Sequence, residues 1–560
     1  MKRSFLAALA TSTFLALAVS VTMSFTACEK KEDQAPAAAQ QSETAAANAA
    51  ATTETAKEAE DPNALKPVKY VFLFIGDGMS LPQRMLAEEF SMKTDSKGLT
   101  INSMPQQSYS KSSSANSFIT DSAASGTAIA CGEKTNNQRL GVAPDGKRKL
   151  ESVAELAKKN GRAIGILTSI TINHATPAAF YAHNESRDNY YDIGKDLVNS
   201  GFDYFGGGGL QNNRGGDNDL YKIAQASGYT VATFCKNASK ASDDPTACPI
   251  CKRAQDSKDY VDPATIDLKN TEKLFVRGHN GALPNAIDRP EGEWGIADYT
   301  KQCIDFLALK DKPFFIMVEG GNIDHHGHAN DAASNLRETI DFDKAVTVAI
   351  DFAKQHPDDT LVVVTGDHET GGMTLGFANT EYSSYIQLLE NQKCSGDEFK
   401  NKINALADSI LGPRQFGPPR RNQDNQETQA PQEEKTIKFD DVKKLINENF
   451  GLVFDKYDNR GNSPKGTLVL NKSEQDRIEE AFNRQFPNGK RAGFGGGDAI
   501  ANTVVAIFDN RASIGWTSGA HTALPVDTSA FGVNAGIFSG MYENSDISKK
   551  LKEIVSVPVK

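Results

Sequence analysis

The stretch YVFLFIGDG at residues 70–78 joins six bulky apolar residues to an aspartate that lies between two glycines. Later apolar runs also lead toward a polar residue that is able to bind a metal ion; they are Ala163–Thr168, Phe314–Val318 and Leu361–Thr365. Near-continuous apolar runs of this length are typical of strands that are buried on both faces of a parallel sheet. These runs therefore predict strands of one largely parallel sheet.

Helical stretches lie between the predicted strands, for example Leu150–Asn160 and Ala345–Lys354. Strands that alternate with helices in this way predict an α/β fold with a central, largely parallel sheet and helices on both faces. In such sheets ligands collect at the carboxyl ends of the strands. Because Asp77, Glu319 and Asp367 closely follow predicted strands, we expect them to lie at one edge of the sheet.

The chain has 560 residues, which is enough for one large α/β domain with insertions or for several ordinary domains. Its composition is that of a soluble globular protein. The formal net charge of −11 gives no sign of the basic face that a nucleic-acid-binding module needs. We therefore expect no nucleic acid partner.

Residues 1–27 are predicted to be a signal peptide, because Lys2 and Arg3 precede a long apolar run. Residues 24–28, SFTAC, resemble a bacterial lipobox, which predicts lipidation of Cys28. The alternative is an ordinary cleaved signal peptide in which Cys28 is incidental, since Phe25 stands where a lipobox more often has Leu. We expect an exported protein, periplasmic or at the cell surface, that a lipid anchor holds to the membrane.

The remaining chain divides by composition. Residues 28–66 are poor in bulky apolar groups and predict a disordered tether, with an Ala-rich helix as the alternative. The other predicted parts are an α/β domain at 67–378 with a polar insertion at about 234–283, a lid or crown at 379–497 with a flexible segment at 412–434, and the rest of the α/β domain at 498–560. A short amphipathic helix is predicted within the lid at Asp440–Phe450.

Oxygen and nitrogen donors are concentrated in short islands of sequence, which read FIGDGMS (74–80), NHATPAAFYAH (173–183), VEGGNIDHHGH (318–328), TGDHETGG (365–372) and SGAHTA (518–523). Zinc and magnesium bind such donors, and the absence of cysteine from these islands argues against a structural zinc finger. The candidate ligands are Asp77, Thr176, Glu319, Asp324, His328, Asp367, His368 and His521. These islands predict a catalytic metal site.

Two local patterns refine this prediction. Asp324 and His328 are four residues apart, so they converge on one ion if the segment is helical, although a solvated His-rich turn is the alternative. Ser122 in TDSAASGTA precedes good helix formers, which predicts a helix N-terminus that favours a bound phosphate. The alternative is that Ser122 is only the N-cap. A nearby divalent cation would make its hydroxyl a nucleophile.

Taken together and in this order, the islands resemble those of the alkaline phosphatases, and the resemblance runs from about Lys69 to Val555. It implies that Ser122 is the phosphorylated nucleophile and that Arg187, in AHNESRD, binds the phosphate. It further implies two zinc ions and one magnesium ion. Asp324, His328 and His521 match the ligands of one zinc; Asp77, Asp367 and His368 match those of the other; Asp77, Thr176 and Glu319 match those of the magnesium.

The same resemblance places His174 and His325 beside the ligands, at positions where family members carry either Asp and Lys or two His. The two histidines leave open whether the third ion is magnesium or zinc. The implied substrates are phosphate monoesters, and the family is commonly dimeric. A diesterase, sulfatase or phosphomutase, and a phosphate-binding lipoprotein without turnover, are the rival functions. Without the resemblance, the sequence favours a surface salt bridge between Arg187 and Asp188 or Glu185.

The cysteines give less information. Cys235, Cys248 and Cys251 predict a local disulfide, because export favours oxidation, with a metal knuckle as the alternative. Cys131 and Cys303 lie in apolar patterns and are predicted to be buried thiols. Cys394 fits no pattern.

Overall fold

A computed structural model describes residues 64–216, 218–234, 263–278, 281–378, 380–413, 435–492 and 497–559. These residues all belong to one compact unit. The predicted signal peptide, the lipidation site Cys28 and nearly all of the predicted tether lie outside the described residues, as do Cys235, Cys248, Cys251 and residues 414–434.

Ten strands form the central sheet. In spatial order they are β16 (Met541–Glu543), β2 (Gln106–Lys111), β15 (Val526–Gly532), β10 (Thr360–Gly366), β1 (Tyr70–Gly76), β9 (Phe314–Gly320), β3 (Ala163–Thr168), β4 (Tyr204–Gly207), β8 (Lys273–Arg277) and β7 (Tyr229–Thr233). All neighbouring pairs are parallel except the two that involve β15, which runs antiparallel to β10 and β2. The predicted largely parallel sheet is therefore confirmed, and the four predicted strands form its centre.

Short two-stranded ribbons lie outside this sheet. They pair β5 (Arg214–Gly215) with β6 (Asn218–Asp219), β11 (Glu369–Thr370) with β14 (His521–Thr522), and β12 (Met373–Leu375) with β13 (Ile514–Trp516). The ribbon of β11 and β14 matters for function, because it joins two segments that carry candidate ligands.

The helices of the described residues are α1 (Leu81–Thr94), α2 (Ser122–Cys131), α3 (Val153–Lys159), α4 (Ala175–Ala178), α5 (Tyr190–Ser200), α6 (Leu220–Ala226), α7 (Ile296–Ala308), α8 (Asn322–His328), α9 (Ala332–Gln355), α10 (Gly396–Leu411), α11 (Phe439–Phe450), α12 (Lys472–Gln485), α13 (Ala499–Arg511) and α14 (Asn544–Ser556). Single 3-10 turns occur at Ile101–Ser103, Pro263–Thr265, Leu268–Asn270, Ile386–Asn391, Pro487–Gly489 and Ala535–Phe538. In the described part of the chain, no helix is long and apolar enough to span a membrane.

Strand β1 is buried on both faces, and its alternate side chains enter two different cores. Val71, Leu73 and Ile75 pack in one core with residues of α2, α3 and α14. Phe72 and Phe74 pack in the other, with residues of α7 and α9. Because successive strand residues point to opposite faces, helices cover both faces of the sheet. The prediction of an α/β fold is confirmed.

A third core belongs to the region that was predicted to be a lid. Helices α10, α11 and α12 pack there with α1, the start of α9 and α13. Helix α11 closely matches the predicted helix Asp440–Phe450. The core is contiguous with the segment that carries the last island, because α13 packs on β13, which ends at Trp516. A lid function for this region stays a prediction.

Candidate metal centre

The centre lies where three adjacent strands end. Strand β1 pairs with β9 and β10 in parallel, and Gly76 is the register partner of both Gly320 and Gly366. The residues next to these positions therefore meet at one edge of the sheet, as predicted for Asp77, Glu319 and Asp367. All three carboxylates are fully buried.

One group of candidate ligands, which we call the inner group, contains Asp77, Asp367 and His368. The Nε2 atom of His368 lies 3.3 Å from Asp77 Oδ1 and 3.3 Å from Asp367 Oδ2. None of the three residues is exposed. Two backbone amides, those of Gly78 and His368, donate to the other carboxylate oxygen of Asp367 at 3.1 and 2.9 Å. Asp367 Oδ2 is therefore held facing the group.

A second group, the outer group, contains Asp324, His328 and His521. Helix α8 places Asp324 and His328 one turn apart, so that His328 Nε2 lies 3.4 Å from Asp324 Oδ2. His521 Nε2 lies 3.6 Å from Asp324 Oδ1 and 3.1 Å from His328 Nε2. Gly78, with a φ of +72°, lets the loop after β1 approach this group, because a Cβ there would lie 2.8 Å from Asp324 Cα.

A third group shares Asp77 with the inner group and adds Glu319 and His174. Thr176 lies beside it and donates from Oγ1 to Asp77 Oδ2 at 3.4 Å. Thr168 donates to Glu319 Oε2 and orients that carboxylate. The predicted third set of Asp77, Thr176 and Glu319 is thus brought together, and His174 joins it although the sequence placed this residue beside the ligands.

The histidine tautomers are fixed by the atoms behind the rings. His328 Nδ1 lies 2.9 Å from the carbonyl of Gly519, and His521 Nδ1 lies 2.8 Å from the carbonyl of Thr120. A carbonyl only accepts, so both Nδ1 atoms donate, and each ring in its neutral form offers the Nε2 lone pair to the outer group. Thr370 Oγ1 similarly lies 3.2 Å from His368 Nδ1 while it donates to Asp324 Oδ1. This is the outer hydrogen bonding that metal-bound histidines show.

The protonation states also fit a cation. Burial, followed by the charges of Asp367, Asp324 and Glu319, raises the pKa of Asp77 well above its usual range. Burial raises the pKa of Asp367 in the same way and that of Glu319 to about 7. Asp77 Oδ1, Asp367 Oδ2 and Glu319 Oε1 are buried without a hydrogen-bond partner. Since buried carboxylates need a counter-charge, these residues fit divalent cations.

Ser122 begins helix α2 beside the inner group. Its Oγ lies 3.1 Å from His368 Nε2, and the residue is 1 % exposed. The N-cap of the helix is Asp121, whose carboxylate accepts from the amide of Ala124 at 3.0 Å. The alternative interpretation of Ser122 as a mere N-cap is therefore wrong, because Ser122 is the first residue inside the helix.

Arg187 lies on the same side of the centre. Its Nη1 donates to Asp121 Oδ2 at 3.1 Å, and its Nη2 lies 3.0 Å from His174 Nε2. Burial works against its charge, but Asp121 outweighs this and raises the pKa of Arg187. The alternative pairing with Asp188 or Glu185 does not occur; the partner is Asp121. His325 lies further out, with its ring centroid 6.2 Å from that of His174.

Three polar residues of the centre were not predicted from sequence, namely Asp121, Thr168 and Thr370. Asp121 carried a usable signal, because an aspartate directly before a predicted helix is a preferred N-cap. Thr168 and Thr370 carried none, since their contacts depend on how distant segments pack. Cys131 and Cys303 are buried free thiols as predicted, and Cys394 is one as well.

The sequence model of the alkaline phosphatases matches residues 68–207 and 254–557. Alkaline phosphatase 3 of Bacillus subtilis (strain 168) is 30% identical over 508 residues, which cover 88% of this chain and 90% of that protein. The alkaline phosphatase of Escherichia coli (strain K12) is 29% identical over 338 residues, covering 54% of this chain and 70% of that protein.

Solved structures show the same likeness. The cold-active alkaline phosphatase of a psychrophilic Shewanella sp. has a TM-score of 0.64 and 25% identity, and the match covers 87% of this chain and 99% of that one. The alkaline phosphatase of Thermus thermophilus has a TM-score of 0.65 at 24% identity, with 88% and 93% covered, and it bears on the fold alone. The family match extends over most of the chain and includes every island of the centre. This protein belongs to the alkaline phosphatase family.

Proposed function

We propose that this phosphatase hydrolyses phosphate monoesters to an alcohol and inorganic phosphate, that it depends on metal ions, and that Ser122 carries the phosphoryl group between two steps. The observation that carries the proposal is the 3.1 Å distance between Ser122 Oγ and His368 Nε2. This distance supports the proposal, because the serine hydroxyl lies at a helix start and beside three buried side chains that could bind a metal ion.

The donor sets support two zinc ions and one magnesium ion. The inner and outer groups each combine histidine nitrogen with carboxylate oxygen, which suits zinc. The third group has two carboxylates and the Thr176 hydroxyl, which suit magnesium, whereas His174 suits zinc. When bound, divalent cations stabilise a deprotonated hydroxyl and neutralise the charge of a phosphate.

Ser122 acts as the nucleophile in the first step. Its Oγ forms a bond to phosphorus as the bond between phosphorus and the ester oxygen breaks, and the alcohol leaves with a proton in place of the one that the Ser122 hydroxyl loses. The side chain of His368 is kept neutral, because burial and then the neighbouring His521 lower its pKa well below the usual range. In the second step a water oxygen bonds to phosphorus as the bond between phosphorus and Ser122 Oγ breaks; one water proton returns to Ser122 Oγ and the other stays on the released phosphate. Two in-line displacements predict net retention of configuration at phosphorus.

Arg187 orients the phosphoryl group. Its guanidinium is positioned by Asp121, the N-cap of the helix that Ser122 begins. A planar guanidinium can donate to two phosphate oxygens through two parallel N–H groups, a geometry that an ammonium cannot copy. Because the same Asp121 anchors both the helix start and Arg187, nucleophile and clamp keep a fixed relation.

Monoesters are favoured over diesters and sulfate esters by charge. A phosphate monoester is a dianion, and the site combines Arg187 with three groups that fit cations. A cation held by the third group would add positive charge beyond a two-ion site. This counts against a diesterase, sulfatase or phosphomutase, and the complete donor sets count against a binding protein without turnover.

We further propose export, membrane anchoring through lipidated Cys28 and a homodimeric assembly. The first two rest on residues 1–28 and the third on the family. Partitioning into a detergent phase that Cys28→Ala abolishes would support the anchor. Sedimentation of the purified protein as a monomer would exclude the dimer.

The proposed function is tested by comparing a chromogenic phosphate monoester with its diester and sulfate analogues. We expect fast monoester hydrolysis that chelation stops and that zinc with magnesium restores. Preference for the diester or the sulfate would indicate a diesterase or a sulfatase instead. No turnover with verified metal loading would leave it as a binding protein.

A further inference from the structure

We infer that Gln83, Glu369 and Thr522 form a buried clasp that positions the inner and outer groups relative to each other. None of the three has been counted among the ligands, and each acts through a neighbouring residue. The inference rests on the proposed metal-dependent function. It concerns how tightly the ions are held, which can be measured without turnover.

The centre of the clasp is the carboxylate of Glu369, which is fully buried. Its Oε1 accepts from Gln83 Nε2 at 2.8 Å and from the amide of Met373 at 3.1 Å. Its Oε2 accepts from the amide of Gly372 at 3.1 Å and from the hydroxyl of Thr522. Both oxygens thus face donors, which is the arrangement that an ionised carboxylate requires.

The clasp joins two segments that carry candidate ligands of different groups. Glu369 directly follows His368 of the inner group, and Thr522 directly follows His521 of the outer group. In the β11–β14 ribbon Glu369 is the register partner of Thr522. The rings of His368 and His521 stack with centroids 3.6 Å apart. The spacing of the two imidazoles is therefore set where Glu369 meets Thr522.

Gln83 extends the clasp to the third segment of the centre. Its amide also donates to the carbonyl of Thr370 at 3.2 Å, and its Oε1 accepts from the amide of Ser80 at 3.0 Å. Ser80 lies three residues after Asp77. The loop that carries Asp77 is thereby tied to the ribbon that carries both histidines.

A ribbon of two residues in each strand has little stability of its own. Side-chain hydrogen bonds between its strands must therefore supply part of the rigidity that the ligands need. Glu369 does so with a charged acceptor, whose hydrogen bonds are about twice as strong as neutral ones. The three residues are positioning residues, and loosening them affects ions of both groups while the donor atoms stay present.

The test uses the zinc-loaded full chain with Glu369→Gln, Thr522→Val and Thr522→Ser. In Glu369→Gln the amide nitrogen would face a hydrogen-bond donor on one side. Thr522→Val keeps nearly the shape of threonine but removes the hydroxyl. Thr522→Ser restores that hydroxyl. Asp343→Asn is the matched control, because Asp343 is also a buried carboxylate that accepts from two amides, those of Thr100 and Ile101, outside the centre.

The primary measurement is the rate of zinc release to a chelating dye. We expect zinc to leave Glu369→Gln about 10- to 100-fold faster than the wild type, in line with the effect of other residues that orient metal ligands. The increase should be smaller for Thr522→Val. Thr522→Ser should release zinc at nearly the wild-type rate. Excess zinc should restore kcat in the clasp variants. Asp343→Asn should lower the unfolding midpoint without faster release.

Release from both Glu369→Gln and Thr522→Val at the wild-type rate would overturn the inference, and so would equally fast release from Asp343→Asn. If Glu369→Gln does not fold, the pair of Thr522→Val and Thr522→Ser decides. A wild-type protein that binds no zinc would instead refute the proposed function, so the two failures are distinguishable.

Discussion

The inner and outer groups contain the same kinds of donor but differ in exposure. Asp77, Asp367 and His368 of the inner group are completely buried. In the outer group the side chain of His328 is 40% exposed and that of His521 13%. The inner group lies at the ends of β1 and β10, whereas the outer group is built from a short helix and a two-residue strand.

This difference decides how each group balances its charge without a metal. Burial raises the pKa values of both inner carboxylates, and the adjacent His368 is kept neutral. In the outer group burial also opposes the charge of Asp324, but the hydrogen bond from His328 and the nearby histidines outweigh it and depress its pKa. His328 has a pKa raised to about 9 by the same contact. A proton can therefore replace the outer cation.

The largest effect is expected from removing the nucleophile beside the inner group. Ser122→Ala should reduce turnover by at least about 10³-fold, because loss of a serine nucleophile removes the covalent route. Zinc content should stay near that of the wild type, since Ser122 is not needed for either donor set. Stopped-flow assays and elemental analysis would measure both. Unchanged turnover would reject Ser122 as the nucleophile.

Replacing one histidine in each group should separate the two sites. His368→Ala and His328→Ala should each lower the affinity for one zinc ion. The loss should exceed the about 10- to 100-fold that follows when a residue that only supports a ligand is removed. Excess zinc should restore activity better in His328→Ala, because the outer group is open to solvent. Elemental analysis after dialysis checks the content. Full zinc retention in either variant would remove that histidine from the ligands.

The phosphate clamp should give a smaller effect that depends on neither group. Arg187→Lys keeps the positive charge but loses one of two hydrogen bonds to phosphate, and a hydrogen bond to a charged group is worth about 1.5–3 kcal/mol. We expect inhibition by inorganic phosphate to weaken by about 10- to 100-fold. Equal inhibition of the wild type and Arg187→Lys by inorganic phosphate would contradict two hydrogen bonds from Arg187 to the phosphate.

Graded chelation should distinguish the groups in time. The outer zinc should leave first, because His328 offers chelators a path that the buried inner ligands lack. Release should therefore be biphasic, with one zinc in each phase. The His328→Ala protein serves as the control and should show only the slow phase. A single phase for the wild type would mean that the difference in exposure has no kinetic consequence.

The smallest effect concerns stability and pH in the metal-free protein. His328 holds a proton up to about pH 9 when folded but only to about pH 6.5 when unfolded. Its contribution is fully present below about pH 6.5 and is lost as pH rises to about 9. Urea unfolding of the metal-free protein should show a steeper fall in stability over this interval than that of metal-free His328→Ala, which keeps the buried carboxylates Asp77, Glu319 and Asp367 with pKa values raised in the same direction.

Glu338 provides an internal reference for that measurement, since burial raises its pKa to about 8 and its contribution to stability is also lost as pH rises. Glu338→Gln should remove the same part of the slope from the wild type and from His328→Ala. Equal slopes in metal-free wild type and metal-free His328→Ala would show that a proton on His328 does not replace the outer cation.

Much of the fold could be predicted because its central strands are apolar on both faces. The predicted run Ala163–Thr168 coincides with β3, and Leu361–Thr365 falls one residue short of β10 at each end. The antiparallel strand β15 was not predicted, because VDTSAFG contains polar residues and its pairing with β10 is set by distant segments. Apolar continuity thus identifies the four central parallel strands, whereas the place of β15 between β2 and β10 depends on packing.

The candidate site divides in the same way. Ligand types that cluster in short islands could be identified, and the structure brings them together in three groups. His174 could not be assigned to the third group, because its distance to Asp77 depends on how α4 packs against the sheet. The role of Glu369 could not be predicted for a different reason. Its hydrogen bonds join residues 83, 369 and 522, and no local sequence pattern relates these positions.

The order of the ligands along the chain has a consequence for biosynthesis. The inner group is complete in sequence once residue 368 has been made, but the outer group waits for His521, near the end of the chain. Strand β15, which pairs with β10, and helix α14, which packs against α2, come later still. A growing chain therefore cannot complete the outer group before residue 521 has been made, and a chain that stops before that residue would lack one candidate ligand even though its other islands were intact.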